Sequence, residues 1–299
     1  MGFSVVTTVL AKAASYDLTD LATVKDELSI GSNSTSSDGW LSRAIAQLSQ
    51  MIASHTKRVF APEMVQDSFD IQQDPYPYQT PGGFPQLQLT RWPVLSVLSV
   101  VQTIALNTTQ VLTEGTDFKV DPATGQLLRL NPFTGVGTIW EALPVTVQYT
   151  AGFGDLVVEP DTIPAVSPFT VEVDFPVTFS CDQVVSFSNG GALTRVSANP
   201  GAGQYSVTDG VYAFNEADAS TPIIITYAVL DVPADLVDIT LRLVTGRYKA
   251  KDRDPSLIQM DTPGVGTQRF WFGGAPGQTG PFPPDITGAL DPYCMPVVV

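Results

Sequence analysis

Val145-Thr146-Val147-Gln148-Tyr149 and Ile223-Ile224-Ile225-Thr226-Tyr227 are two segments of similar pattern that frame a long β-rich stretch of the chain. Both are rich in β-branched residues and end in tyrosine, a composition typical of strands. An insertion that starts and ends at such similar strands can sit compactly on its host. The two segments therefore indicate an inserted module, which we place at 155–229.

The module has the pattern of a small all-β domain. Short strand-like segments recur at regular spacing, and turn residues such as Asn189-Gly190-Gly191 separate them. This pattern predicts a sandwich or barrel. The candidate strands are Phe169–Val173, Val177–Phe179, Val184–Phe187, Thr194–Ser197, Gln204–Val207, Val211–Phe214 and Ile223–Tyr227.

The residues before the module predict a helical hairpin followed by a small antiparallel β unit. Apolar residues three and four positions apart predict a short helix after Asp20, and a polar linker separates it from a longer helix that Asp38 caps. Candidate strands follow from about residue 87 to Tyr149. The longer helix carries a narrow apolar stripe, which we expect to pack against another subunit: Leu41, Ile45, Leu48 and Ile52.

After the module, Pro233 opens a predicted third helix with a basic C-terminal end formed by Arg242, Arg247, Lys249, Lys251 and Arg253. The remainder is rich in Pro and Gly yet carries large apolar side chains, which a solvated linker would lack. We therefore expect an arm that orders against a partner. Its candidate anchors are Phe270, Trp271, Phe272, Phe282, Ile286, Leu290 and Tyr293.

Together these patterns predict an α+β fold. It consists of a helical bundle of about three to four helices, a small antiparallel β unit, an inserted all-β, sandwich-like domain and an extended C-terminal arm. The predicted boundaries are 1–154 for the helical hairpin and β unit, 155–229 for the module, 230–254 for the last helix and 255–299 for the arm.

The charge of the chain is strongly negative and unevenly distributed. The 299 residues carry 15 Lys and Arg against 30 Asp and Glu, a net charge of −15. Residues 151–230 hold nine acidic side chains and a single base, Arg195. With 43% hydrophobic residues the chain has enough apolar material for a core, which excludes wholesale disorder. The scarcity of bases argues against a sequence-reading nucleic-acid binder.

The sequence contains no convincing catalytic or metal-binding motif. His55 is the sole histidine and lies on the stripe of a helix, no Gly-x-Ser-x-Gly segment occurs, and the acidic Asp67, Asp70 and Asp74 lack the spacing of a calcium loop. We expect no catalytic residue, no cofactor, no metal and no enzymatic activity. The basic helix end has three interpretations: cations that complement the helix dipole, a nucleic-acid contact, or a contact with an acidic protein.

Signals for export or membrane insertion are also missing. Cys181 and Cys294 lie far apart, which fits a reducing compartment. The first residues lack the basic region and apolar run of a secretory leader. No apolar stretch reaches the roughly 18 residues of a membrane span. We expect an intracellular protein without membrane contact.

Several short segments stand in a specific order along the chain. They are Val24-Lys25-Asp26-Glu27-Leu28, Asp38-Gly39-Trp40-Leu41, Ile52–Arg58, Leu89-Thr90-Arg91-Trp92-Pro93-Val94, Tyr149-Thr150-Ala151-Gly152-Phe153, Val232-Pro233-Ala234-Asp235-Leu236 and Arg253-Asp254-Pro255. This order resembles that of phage head–tail connector (adaptor) proteins, and the likeness covers about 1–153 and 231–299. It departs at 155–227, because members of that family pass from the Tyr-Thr-Ala-Gly strand to the last helix through a short loop.

The resemblance implies a structural protein of the virion neck. Such adaptors form rings, usually of twelve subunits, beneath the portal at the capsid vertex; they extend the DNA channel and dock the next neck or tail protein. It further implies that the arm binds the portal, that DNA passes without specific binding, and that the protein is made in the host cytoplasm. Two alternatives stay open: a stopper or tail-completion protein, and a surface- or carbohydrate-binding β-module protein.

Overall fold

The computed structural model describes residues 5–70, 86–105, 108–140, 144–251, 259–262, 266–269 and 282–295. The contacts divide the chain into two compact units. The strand unit comprises Met1–Ser15 and Ala61–Asp231, and the helix unit comprises Tyr16–Phe60 and Val232–Val299. The four segments predicted from the sequence stay predictions.

The secondary structure alternates between long blocks of strands and short blocks of helices. The helices are α1 (Leu21–Glu27), α2 (Asp38–Thr56), α3 (Ala234–Lys249) and α4 (Pro284–Leu290). The strands are β1 (Val5–Ala11), β2 (Glu63–Phe69), β3 (Gln86–Gln88), β4 (Val94–Ala105), β5 (Thr108–Leu112), β6 (Phe118–Asp121), β7 (Gln126–Arg129), β8 (Val145–Ala151), β9 (Gly154–Thr162), β10 (Thr170–Glu172), β11 (Phe179–Phe187), β12 (Thr194–Arg195), β13 (Gln204–Thr208), β14 (Val211–Phe214), β15 (Pro222–Leu230), β16 (Gln259–Thr262) and β17 (Gly266–Arg269).

The predicted fold class is wrong in its emphasis on helices. Strands hold 39% of the described residues against 23% in helices, so the protein is mainly β rather than a helical bundle with a small β unit. The physical reason is that many short β-branched segments pair over long sequence distances. Each of these segments is short and gives a weaker local pattern than the longer periodic helices, so the sequence underestimates the strand content.

A five-stranded antiparallel sheet forms the first half of the strand unit, in the order β1-β2-β8-β4-β5. A smaller sheet, β3-β7-β6, packs with one face of it. The two sheets enclose an apolar core whose most buried members include Val65, Val100, Leu127, Val147 and Tyr149. The alternation of apolar and polar residues along these strands produces this buried face.

The second half of the strand unit is the module, with a three-stranded sheet (β11-β15-β9) and a four-stranded sheet (β10-β14-β13-β12). Side chains of both sheets join one core. Val185, Ile225 and Tyr227 come from the first sheet, and Tyr205 and Tyr212 from the second. The module therefore has its own apolar interior.

The chain enters and leaves the module at one place. Gly154, the first residue of β9, pairs in register with Leu230, the last residue of β15. Beside this pair, the Asp231 N–H donates a hydrogen bond of 3.1 Å to the Phe153 carbonyl. The two residues that flank the module, Phe153 and Asp231, are therefore hydrogen-bonded neighbours.

Two glycines allow the close backbone approach at this junction. A Cβ on Gly154 would lie 1.8 Å from the Val229 carbonyl oxygen. One on Gly152 would lie 2.5 Å from the Cα of Pro62, and Gly152 has a φ of +145°. A side chain at either position therefore requires the backbone to move.

Further contacts fix the module to the five-stranded sheet. The Ser180 hydroxyl donates to the Pro62 carbonyl at 2.8 Å, and the Ala14 N–H donates to the Ser180 carbonyl at 2.7 Å. In addition, Cys181 and Ala228 of the module pack with Ala11 of β1 in a small apolar cluster. The junction is thus an ordered interface.

In the helix unit, three helices share a core and a fourth follows near the C-terminus. Asp20 caps α1 by accepting a hydrogen bond from the Thr23 N–H at 2.7 Å. The buried Lys25 joins α1 to the start of α2, since its Nζ lies 2.8 Å from the Asp38 carboxylate. Strands β16 and β17 form a separate antiparallel pair.

We predict that Gly152→Ala destabilises the strand unit. The new methyl group would clash with backbone atoms of Pro62, which cannot rotate away, so the free energy of unfolding should fall by about 2 kcal/mol or more. Urea unfolding followed by circular dichroism measures this change.

The matched control is Gly191→Ala in the same unit. There the nearest atom, Cδ2 of Phe187, would lie at an ordinary 3.5 Å, so the change should stay within about 0.5 kcal/mol. Equal stabilities for the two variants would contradict the assigned backbone approach at the junction.

Candidate functional site

The predicted subunit-packing face of α2 lies inside the helix unit. Leu41, Ile45, Leu48 and Ile52 are all buried, and the first three pack with Val24 of α1 and Val244 of α3. In the single chain these side chains are core residues rather than an accessible surface. Their role in packing against another subunit stays a prediction.

The last described segment, 282–295, folds back on the helices of its own unit. Phe282 contacts the ring of His55 edge-on at 5.4 Å between centroids, and Ile286 and Leu290 are buried. The Met295 N–H donates to the Thr56 carbonyl at 3.0 Å. These three predicted arm anchors therefore stabilise the helix unit, while Phe270, Trp271 and Phe272 lie outside the described residues.

Tyr293, the remaining predicted anchor, is fixed by α3. Its hydroxyl donates to both carboxylate oxygens of Asp235 at 2.7 Å, and its ring meets Phe60 edge-on at 6.0 Å. Desolvation by burial, with the neighbouring Asp235 carboxylate, raises the pKa of the Tyr293 phenol to about 12. The phenol thus remains a hydrogen-bond donor at neutral pH.

The basic end of α3 is partly neutralised. Arg242 lies 2.8 Å from Asp285 of α4 and 3.9 Å from Asp238, one turn earlier in α3. The Lys251 Nζ lies 4.3 Å from the centroid of the Tyr248 ring, a cation–π contact. Arg247 and Lys249 are exposed, and Arg253 lies outside the described residues. The exposed positive charge is therefore smaller than the five-residue cluster suggested.

The most unusual polar group of the module is Asp182, which is buried between its two sheets. The hydroxyls of Tyr205 and Tyr212 donate to its two oxygens at 2.7 and 2.9 Å. Arg195, the single base of residues 151–230, has its Nε 3.7 Å from the same carboxylate. The one cation of this acidic segment thus lies beside its most deeply buried carboxylate.

Burial raises the pKa of the Asp182 carboxyl above its ordinary value, and the Tyr205 hydroxyl, Arg195 and the Tyr212 hydroxyl partly oppose this shift. The pKa values of both phenols are raised, chiefly by desolvation and then by the nearby carboxylate. Neither phenol is therefore activated as a base, and the cluster is suited to cross-linking two sheets.

A second buried carboxylate, Asp67, holds together the five-stranded sheet and the segment before β4. It accepts hydrogen bonds from the hydroxyls of Thr7 and Tyr149, both at 2.7 Å, and from the Thr90 N–H at 2.8 Å. Sequence reasoning treated Asp67 as a loosely spaced acid. The available signal was its position among alternating apolar residues of a strand, in a sheet that also contains the buried Tyr149 of β8.

The described residues offer no arrangement suited to nucleophilic or metal chemistry. Burial, with the neighbouring Asp182 carboxylate, raises the pKa of the Cys181 thiol to about 12, so it is not a thiolate at neutral pH. Among these residues no group of three potential ligands could hold a metal ion. A surface cavity of about 750 Å³ lies beside α1, but the ammonium of Lys25 that lines it is already paired.

The pair of Arg195 and Asp182 generates a pH-dependent prediction. In Arg195→Gln the buried carboxylate loses its cation, and because Arg195 is 39% exposed and partly screened we expect a cost of about 1–2 kcal/mol at pH 8. The folded pKa of Asp182 lies above its unfolded value, so stability linked to its protonation is present at low pH and is lost as the pH rises through the folded pKa.

The cost of Arg195→Gln should therefore shrink as the pH falls and vanish where Asp182 is protonated in both states. Urea unfolding between pH 4 and pH 8 measures it. Lys119→Gln, which removes a charge from an exposed position of β6 in the same unit, is the control and should show a small effect at every pH. A cost for Arg195→Gln that grows toward acid pH would contradict the assigned pair.

Within the described residues, no helix combines the length and apolarity needed to cross a membrane.

Comparison with known proteins found no matching family model. It also found no matching curated protein. Among solved structures, the chain is similar to one described as the neck of an empty GTA particle, computed with C6 symmetry. The match is 19% identical, covers 51% of this chain and 72% of that one, and has a TM-score of 0.30. At this TM-score no residue role is carried over.

Proposed function

We propose that this chain is a structural protein of the neck of a phage-like virion, and in particular a head–tail connector (adaptor). In this role it assembles into a ring of about twelve copies beneath the portal. The ring extends the DNA channel and docks the next neck or tail protein below it. The protein acts without catalysis or a cofactor. It is made in the host cytoplasm and ends in the virion at the portal vertex.

The observation that carries this proposal is the geometry of the module junction. The sequence resemblance to adaptors covers 1–153 and 231–299 and is interrupted by the module. Gly154 pairs with Leu230, and Asp231 hydrogen-bonds to Phe153. The interruption therefore leaves the two resembling parts adjacent at that point, as expected when a module has been added to a simpler adaptor at a loop.

The charge supports a channel role. A chain with a net charge of −15 offers DNA little to bind, because tight binding requires cations that neutralise phosphates. A ring of such chains can surround a duplex without holding it. The partial pairing of the Arg242 guanidinium with Asp238 and Asp285 is in keeping with this role, since it reduces the cationic surface at the end of α3.

The portal contact is assigned, within this proposal, to the aromatic part of the C-terminal segment. Three of the predicted anchors are buried inside the helix unit: Phe282, Ile286 and Leu290. Phe270, Trp271 and Phe272 are then the predicted anchors left to bind a partner. Aromatic residues are the side chains most enriched at the energetic centres of protein interfaces.

The test is electron microscopy of the full-length protein alone and mixed with the portal protein of the same phage. The proposal expects rings of the protein alone, and rings stacked on portal in the mixture. A protein that stays monomeric and never associates with the portal would overturn it.

The same assay tests the anchors with a variant in which Phe270, Trp271 and Phe272 are all replaced by Ser. We expect ring formation and thermal stability to persist while portal binding falls at least about tenfold, because a buried aromatic anchor contributes more than about 1.4 kcal/mol. The contrasting variant Leu290→Ala should lower the stability of the helix unit by about 2–4 kcal/mol, because its side chain is fully buried. Undiminished portal binding by the triple variant would refute the assignment.

A further inference from the structure

The five-stranded sheet presents two outer edges, one along β1 and one along β5. In the part of the chain that the structure describes, no strand pairs with either outer edge. An unpaired edge exposes a row of N–H and C=O groups that can pair with a strand of another chain. The sheet therefore has two places at which a further strand can be added.

Neither edge has the usual protection against such pairing. Edge strands that must stay unpaired commonly carry lysine, other charges or proline. The segments of β1 (Val5–Ala11) and β5 (Thr108–Leu112) contain none of these, and residues 93–113 form a run without a single charged side chain. In a chain with a net charge of −15, these edges are where like-charged copies can meet without repulsion.

The two edges are matched by the register of the sheet. One continuous row of paired residues runs across all five strands: Val6, Ser68, Thr146, Val101 and Val111. Its interior members include two hydroxyl residues, whereas both ends are valines that are largely exposed, Val6 at 60% and Val111 at 68%. The exposed apolar side chains thus lie at the two ends of one row.

The strand directions favour a repeating contact between copies. All four neighbouring pairs in the sheet are antiparallel, so β1 and β5 run in the same direction. A rotation that brings β5 of one copy beside β1 of the next produces a parallel pair and leaves the same two edges at the ends. A different protein added at one edge would leave the other unpaired, whereas a closed ring of copies pairs every edge.

We propose that β5 of one copy pairs in parallel with β1 of the next, with Val111 beside Val6. This deepens the proposed function and rests on its ring. The contact joins the sheets of successive subunits into one continuous sheet. The α2 face predicted for this purpose is instead buried in the core of each subunit.

The first experiment measures the mass distribution of the full-length protein by mass photometry for Val6→Lys, Val111→Lys and the wild type. Each lysine places a desolvated charge at the contact, so the concentration for half-assembly should rise at least about tenfold. Because both positions are exposed, thermal stability should be unchanged. Val158→Lys is the control, since Val158 is 64% exposed on β9, an outer strand of the module's three-stranded sheet, and its charge change is identical.

A charge pair then tests the neighbour relation. Val6→Lys combined with Val111→Lys should prevent assembly, and Val6→Lys combined with Val111→Glu should restore it, because each contact then joins opposite charges. Failure of this restoration would overturn the assigned proximity of the two side chains.

Cysteine cross-linking distinguishes this contact from a two-fold one. Neighbouring strands lie about 4.8 Å apart, within the range of Cα separations that a disulfide spans. Oxidation of a mixture of Val6→Cys and Val111→Cys proteins should give covalent dimers that neither protein forms alone. A dimer formed by Val111→Cys alone would contradict the head-to-tail arrangement.

The two proposals fail in different ways. A wild-type protein that forms no ring overturns the proposed function. Wild-type-like rings of Val111→Lys overturn the edge contact and leave the adaptor role standing. If Val111→Lys forms rings but no longer binds the portal, the edge contact is also overturned. That result would mean that β5 contacts the portal rather than a neighbouring copy.

Discussion

The pairing of Gly154 with Leu230 is the constraint on which the architecture of the strand unit depends. It makes the first and last strands of the module neighbours. The chain therefore enters and leaves this domain, which has its own core, at one place. The approach is possible because residue 154 lacks a side chain, since a Cβ there would lie 1.8 Å from the Val229 carbonyl oxygen. The hydrogen bonds of Ser180 to its neighbours then fix the module against the five-stranded sheet.

The acidic side chains of this chain are distributed so that buried carboxylates have hydrogen-bond donors and most strands of the large sheet are uncharged. The buried carboxylates of Asp67 and Asp182 are each surrounded by donors, which offsets the cost of removing them from water. Four of the five strands of the large sheet carry no charged residue at all, and the two acids of β2 are buried. The result is a strongly negative molecule whose large sheet has neutral edges, a combination suited to self-association of like-charged copies.

Local sequence patterns predicted the elements that are long or bounded by clear signals. Helix α2 lies where it was expected, although Asp38 is its first residue rather than its cap, and its stripe is buried. Strands β13, β14 and β15 lie where alternation and turn residues placed them. By contrast, β1 was not expected, because its valines and threonines give little contrast between faces. The start of β11 was obscured because Asp182 and Gln183 interrupt its apolar pattern, and Asp182 is satisfied only by residues of other strands.

The periodicity of apolar residues also does not identify the element or partner that covers an apolar surface. The aromatic C-terminal segment suggested an arm bound to a partner, yet Phe282, Ile286 and Leu290 pack on helices of the same chain. Likewise the match between Val6 and Val111 depends on the register of four strand pairs and is invisible in the linear sequence. Such relations arise from tertiary structure, whereas periodicity reports only which face of an element is apolar.

The central claim is that the chain assembles into a closed ring, and native mass spectrometry of the purified full-length protein tests it most directly. The account predicts one dominant assembly at a fixed multiple of the 32.0 kDa subunit mass, near twelve copies. A protein that remains at the mass of one subunit across the accessible concentration range, or that forms an open series of masses without a closed end point, would contradict it.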